Sequence, residues 1–170
     1  VSASDNCAGT VTVSVADAIS GQSCANQYTI TRTWTATDVC GNSSTSQQII
    51  RVNDSISPMF TSQLPSDTTV NCNSIPTAPT ITASDNCGLV QVTLDETATQ
   101  GGCSGAGGFI RTWTARDTCG NLVRHVQHIT VQDTTKPVIT GTPADITYAC
   151  ASDVPAASNT SVSASDNCAG

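Results

Sequence analysis

The sequence predicts an all-β chain built from tandem, disulfide-stapled sandwich repeats, and three observations carry that expectation. Apolar residues alternate with Thr and Ser in period two, which gives strands with one buried and one wet face. The same motifs return in the same order at intervals of about 79 residues. Nine cysteines are spread through 170 residues without a Cys-x-x-Cys pair, which favours disulfides in an oxidising compartment over a zinc site.

Composition excludes much else. Ser and Thr together number 47, while charged residues make up 11% and aromatics 4%. The Leu, Glu, Lys and Ala of long amphipathic helices are missing from any 3.6-residue pattern. No apolar run reaches the roughly 18 residues of a membrane span. A net charge of −7 argues against a nucleic-acid partner, which needs clustered Lys and Arg, and is compatible with binding cations.

The repeat sets the organisation. Ala3-Ser4-Asp5-Asn6-Cys7 returns at residues 83–87 and again at 164–168. Arg32-Thr33-Trp34-Thr35-Ala36 returns at 111–115, followed each time by Asp-x-Cys-Gly-Asn, and Val-x-Asp-x-x-x-Pro occurs at 52–58 and 131–137. The expected segments are the C-terminal part of one repeat (1–54), a complete repeat (55–133) and the N-terminal part of the next (134–170). Residues 1–9 are identical to 162–170, so the sequence starts and stops at the same phase, as expected of an excerpt from a longer, exported array.

Walking the complete repeat gives its strands in order. A covers 67–71, B 80–84 and C 90–94; a Gly-rich loop at 101–108 leads to F at 109–115. The Cys119-Gly120-Asn121 turn then closes a hairpin into G at 126–131. The clearest strand is 28–37, where Thr fills the odd positions from 29 to 37 and Tyr28, Ile30, Trp34 and Ala36 share the other face. Arg32 and Arg111 fall on the apolar face and are expected to snorkel, stems packed beside Trp34 and Trp113. This is an immunoglobulin-like walk with reduced middle strands.

Taken together, Ala-Ser-Asp-Asn-Cys, Arg-Thr-Trp-Thr-Ala-x-Asp-x-Cys-Gly-Asn and Val-x-Asp-x-x-x-Pro resemble the hyalin-repeat-like (HYR-like) modules of giant secreted surface adhesins, most of all those of gliding Bacteroidota. The resemblance covers the whole chain. It implies an immunoglobulin-like fold, an extracellular or cell-surface location, and a role in adhesion or as a stalk, with neighbouring repeats or identical subunits of a fibre as partners. The adhesion target stays open.

Strands of a sandwich reverse direction in turn, so alternate loops share an end. That places Cys72 with Cys103, Cys87 with Cys119 and, in the first segment, Cys7 with Cys40; Cys24, Cys150 and Cys168 would find partners outside the sequence. The same geometry gathers Asp54 with Asp85 and Asp117, Asp133 with Asp166, and Asp5 with Asp38. Such carboxylates with backbone carbonyls suit Ca²⁺. They equally suit turns, where Asp and Asn bond local amides, and both readings stand.

Asp54-Ser55-Ile56, Asp67-Thr68-Thr69 and Asp133-Thr134-Thr135 resemble an Asp-Ser/Thr-apolar O-glycosylation sequon, marking Ser55, Thr68 and Thr134. Catalysis is not expected. Glu96 is the only Glu, and neither His125 nor His128 is repeated. A single lysine, Lys136, excludes an isopeptide staple in every repeat. The alternative function is a carbohydrate- or protein-binding accessory module of a secreted protein, which would require exposed aromatics.

Overall fold

A computed structural model describes residues 1–6, 9–103 and 106–168. The described residues form eleven strands and one 3-10 turn, Ala151–Asp153, with no α-helix, so the all-β class holds. Strands β1 (Thr12–Cys24), β2 (Gln27–Thr37) and β3 (Ser43–Asn53) make an antiparallel sheet in that order. Its register sets Trp34 opposite Val15 and Ser46, and Ile30 opposite Ile19 and Ile50. Cross-strand apolar pairs of this kind stabilise a sheet locally.

The middle of the chain carries β4 (Met59–Phe60), β5 (Thr68–Val70), β6 (Ala83–Ser84), β7 (Val90–Cys103), β8 (Ala106–Asp117) and β9 (Leu122–Val131). One sheet pairs β4 with β6; the other runs β5-β9-β8-β7. The β9-β8-β7 order is the G-F-C sheet of an immunoglobulin-like domain. Toward the C-terminus β10 (Val138–Thr140) pairs with β11 (Ser163–Ser165) in the antiparallel manner of β4 with β6.

Three details depart from the strand walk. The expected strand A, seen as β5, pairs in parallel with β9, Thr68 opposite Ile129 and Val70 opposite Val131. The partner of β6 is β4, a two-residue strand too short to leave a periodic signal. Strand C does not stop at 94: β7 continues to Cys103, and β8 opens at Ala106, so most of the stretch read as a Gly-rich loop is hairpin.

Close contacts divide the chain into two compact units. One comprises Val1–Gln63, Ile81–Thr93 and Thr114–Arg124; the other comprises Leu64–Thr80, Leu94–Trp113 and His125–Gly170. In the first unit the apolar face of β1–β3 is open, with Val13, Val15 and Ile19 exposed and Trp34 half-buried. In the middle repeat Trp113, the counterpart of Trp34, is 2% exposed, and Ala115, Ile129 and Val131 are buried, while Leu94, the counterpart of Val15, stays exposed.

Within the second unit, side chains pin the approach to β5 against β9. The imidazole Nε2 of His125 lies 2.8 Å from the Pro65 carbonyl, Gln127 Nε2 donates to Ser66 O at 2.8 Å, and His128 N donates to Asp67 Oδ1 at 2.7 Å. The His125 ring also packs against Trp113, centroids 6.0 Å apart.

Arg111 corrects the snorkelling expectation. Its head is not in water: at 4% exposure it donates to Glu96 and, at 2.9 Å, to Pro76 O. Burial demands such partners, because an unpaired buried guanidinium is costly. Arg32, half exposed, takes the equivalent pair with Asp17 through two bonds of 2.8 Å.

The disulfides also differ from expectation. Cys24 is bonded to Cys119 and Cys72 to Cys168, at Cα separations of 5.2 and 5.7 Å. Cys72–Cys103 and Cys87–Cys119 are therefore excluded, and Cys24 and Cys168 find partners inside the sequence. Cys40, Cys87 and Cys150 are free thiols, while Cys7 lies outside the described residues. The physical reason is the length of the first hairpin. The polar run 20–24 prolongs β1, carrying Cys24 to the hairpin tip, where it sits opposite Gln27. A cysteine there reaches outward to the next repeat, not inward to its own.

Candidate functional site

Cys24, Asn26, Asp54, Asp85, Cys87, Cys119 and Asn121 of the first unit converge where the first hairpin, the linker and two turns of the middle repeat meet. The hairpin supplies Cys24 and, from its Ala25-Asn26 turn, Asn26. The Asn26 carbonyl accepts from Asp54 N at 3.0 Å, and its side-chain amide donates to the Cys87 carbonyl. The β8–β9 turn supplies Cys119, bonded to Cys24, and Asn121, whose Nδ2 donates to Asp54 O at 3.3 Å. Asp54, Asp85 and Cys87 each offer a ligand atom, all within 4.8 Å of one another.

A second cluster repeats the arrangement in the other unit. Asp133, Asp166 and Cys168 lie within the same 4.8 Å limit, and here Cys168 is bonded to Cys72. Asn71 and Asn167 clasp this disulfide: Asn167 Nδ2 donates to Asn71 Oδ1 at 3.0 Å and to Cys72 Sγ at 3.1 Å. Asn71 Nδ2 in turn donates to Thr135 Oγ1 at 3.1 Å.

The aspartates fall into two kinds. Asp117 spends its carboxylate on its own turn, Oδ1 accepting from Cys119 N at 2.8 Å and Asn121 N at 2.9 Å, and Oδ2 accepting from Asn121 Nδ2 at 2.7 Å. Asp38 does the same with Cys40 N, Asn42 N and Asn42 Nδ2, at 2.8, 2.8 and 2.7 Å. Burial pushes the Asp117 carboxyl up, but the Asn121 side-chain bond and the turn amides outweigh it and hold it below the ordinary value. Hydrogen bonding from the Asn42 side chain likewise lowers Asp38.

Asp54 and Asp85 are less committed. Asp54 Oδ1 accepts from Ile56 N at 3.3 Å, and Asp85 Oδ1 from Cys87 N at 2.8 Å. Asp85 Oδ2 is buried with no hydrogen-bond partner, an unsatisfied acceptor of the kind that calls for a ligand or a water. Asp5 and Asp38 line one surface cavity of about 290 Å³ together with Cys40 and Asn42. Burial raises the Cys87 thiol, reinforced by the charges of Asp54, Asp85 and Asp117.

Of the three glycosylation candidates, Ser55 and Thr134 are exposed, whereas Thr68 is half-buried in β5 opposite Ile129. Sequence reasoning set the partner of Cys24 outside the sequence and did not single out Asn26 or Asn71. The signal available was the Cys-Ala-Asn-Gln tip, where a two-residue turn would have flagged a hairpin.

Residues 1–52 match a family model described as an HYR-like domain with 4 cysteines. This HYR-like stretch carries β1, β2 and nearly all of β3, with Cys7, Cys24 and Cys40. A comparison with curated proteins finds no match. Among solved structures the chain is similar to one titled "Protocadherin gammaB7 EC3-6 cis-dimer structure", at 16% identity and a TM-score of 0.32, over 79% of this chain and 45% of that one. The chain thus spans less than half of that relative, and a likeness of that size carries no argument. Among the described residues no helix is long and apolar enough to cross a membrane.

Proposed function

We propose that this chain is part of an extracellular, non-catalytic repeat array that serves as a structural or adhesive stalk or fibre, with repeat segments at 1–54, 55–133 and 134–170. One observation carries the reading. Both disulfides join cysteines about one repeat and a quarter apart in sequence, with separations of 95 and 96 residues, so each ties one repeat segment to the next. Disulfides also need an oxidising compartment, which supports an extracellular setting. The HYR-like match of residues 1–52 points the same way.

Calcium belongs to this reading at Asp54 with Asp85 and at Asp133 with Asp166. The orphaned Asp85 Oδ2 supports it, since a hard cation takes carboxylate oxygens and leaves a thiol aside. Asp117 and Asp38 serve their turns, and bound calcium would rigidify the linker carboxylate against the Asp-Asn-Cys loop.

The test is X-ray scattering in solution with millimolar calcium, then with chelator, then with reductant. The array reading expects a single maximum dimension that spreads on reduction while strand content persists; no change on reduction would overturn it. The calcium reading expects a smaller spread on chelation that Asp85→Asn reproduces without chelator. A profile indifferent to chelator would remove calcium and leave the stapled array.

A further inference from the structure

The free thiols are counterparts of bonded ones. Cys87 and Cys168 both end Ala-Ser-Asp-Asn-Cys. Cys72 and Cys150 both stand seven residues after a proline in Pro-x-Asp-x-Thr-x-x-Cys, at 65–72 and 143–150. The surroundings repeat as well. Asp54 and Asp85 crowd Cys87 as Asp133 and Asp166 crowd Cys168. Asp85 Oδ1 accepts from Cys87 N at 2.8 Å, and Asp166 Oδ1 from Cys168 N at 2.9 Å. Asn86 Nδ2 donates to Cys87 Sγ at 2.9 Å, and Asn167 Nδ2 to Cys168 Sγ at 3.6 Å. One thing differs: Cys168 holds the sulfur of Cys72, and Cys87 is a free thiol.

We infer that Cys87 is a docking point for a preceding repeat, whose Cys72-like cysteine closes a disulfide on it, and that Cys150 offers the same sulfur to a following repeat. The order matters. In the bonded pair, the cysteine after the Pro-x-Asp strand comes first and the Asp-Asn-Cys cysteine follows 96 residues later. Cys150 follows Cys87, so the two complement each other between repeats of different copies, head to tail, or through further repeats of a longer chain. Cys40 stands in the same relation to Cys119, both in Asp-x-Cys-Gly-Asn, and awaits a hairpin-tip cysteine like Cys24.

The chemistry is thiol–disulfide exchange with a low-molecular-weight disulfide as oxidant. The two cysteine thiols give up two electrons and two protons, the S–S bond of the oxidant breaks, and it leaves as two thiols. The partners need no metal. In the bonded counterpart the sulfur near the paired aspartates is already in a disulfide, so the thiol of Cys87 is assigned to cross-linking and the carboxylates beside it stay available.

This inference rests on the array reading, and the experiment separates the two. The 170-residue chain, with its two internal disulfides formed, is incubated with oxidised glutathione at rising protein concentration, then run without reductant and peptide-mapped. The expected result is a ladder of covalent oligomers in which the Cys87 peptide is joined to the Cys150 peptide. In a Cys40→Ser background, Cys87→Ser and Cys150→Ser should each abolish the ladder, and an equal mixture of the two variants should stop at the dimer. In protein isolated from its source with thiols blocked, a Cys87–Cys150 link marks a second copy, and a link to the Cys72-like cysteine of another repeat marks a longer chain. Either supports the inference. A Cys87 that stays alkylable in both preparations, or pairs only with Cys40 or glutathione while the internal disulfides are intact, overturns it. Scattering that still narrows and spreads with disulfide state would then leave the array reading standing.

Discussion

At the scale of the residue, one carboxylate can be read in two ways that structure separates. Asp117 and Asp38 sit in the same Asp-x-Cys-Gly-Asn motif and do the same work, bonding the amides of their own turn. Gly120 and Gly41, at φ of 96° and 88°, supply the left-handed residue that the turn requires. Because the folded Asp117 carboxyl is held below its ordinary value, its contribution is fully present above about pH 4 and is lost as pH falls through the lowered folded value. Asp117→Ala should therefore lower the urea midpoint at pH 7, and the gap to the parent should narrow at pH 3. An equal gap at both pH values would mean that the ionised carboxylate is not what holds the turn. Two readings of the acids were legible from sequence, and Asp117 and Asp38 follow the turn-capping one. Asp54 with Asp85 and Asp133 with Asp166 did converge, because linker and Asp-Asn-Cys loop share an end of the fold.

At the scale of the element, alternation was a sufficient guide wherever one face is buried. Trp113 and Ala115, two residues apart on β8, both face inward, as the Thr/apolar pattern required. It failed past Leu94, where residues 95–99 are all exposed. Residues 95–103, Asp-Glu-Thr-Ala-Thr-Gln-Gly-Gly-Cys, carry no apolar stripe, yet they prolong β7, because hairpin pairing needs only backbone partners. The polar run 20–24 prolongs β1 in the same way, and that extension carries Cys24 to the hairpin tip from which it bonds Cys119. The two tryptophans offer a test of what covers a strand face. Trp113→Ala should cost about 3–5 kcal/mol in denaturant unfolding, the usual range for a fully buried aromatic. Trp34→Ala, in an identical pentapeptide on an open sheet, should cost clearly less. Equal losses would show that the first sheet is covered after all.

At the scale of the whole molecule, few apolar residues are deeply buried, and covalent ties supply stability that the core does not. Closing a loop of nearly a hundred residues contributes about 4–5 kcal/mol in the chain-entropy model. Cys24→Ser should accordingly lower unfolding stability by about 2–5 kcal/mol in non-reducing denaturant titrations. A loss within about 0.5 kcal/mol, as for an ordinary surface change, would mean that the hairpin tip is held by its hydrogen bonds to the linker instead. The parallel pairing of β5 with β9 has a different consequence. Thr68–Val70 lie near the start of the middle repeat and Ile129–Val131 near its end, and Gln132 N extends the ladder to Val70 O at 2.9 Å. Once the two disulfides are reduced, tension applied along the chain draws two such parallel strands past each other lengthwise, so their hydrogen bonds are strained together in shear. An antiparallel hairpin pulled from its open end gives way one bond at a time, like a zip; here the rungs must break as a group before the repeat can lengthen.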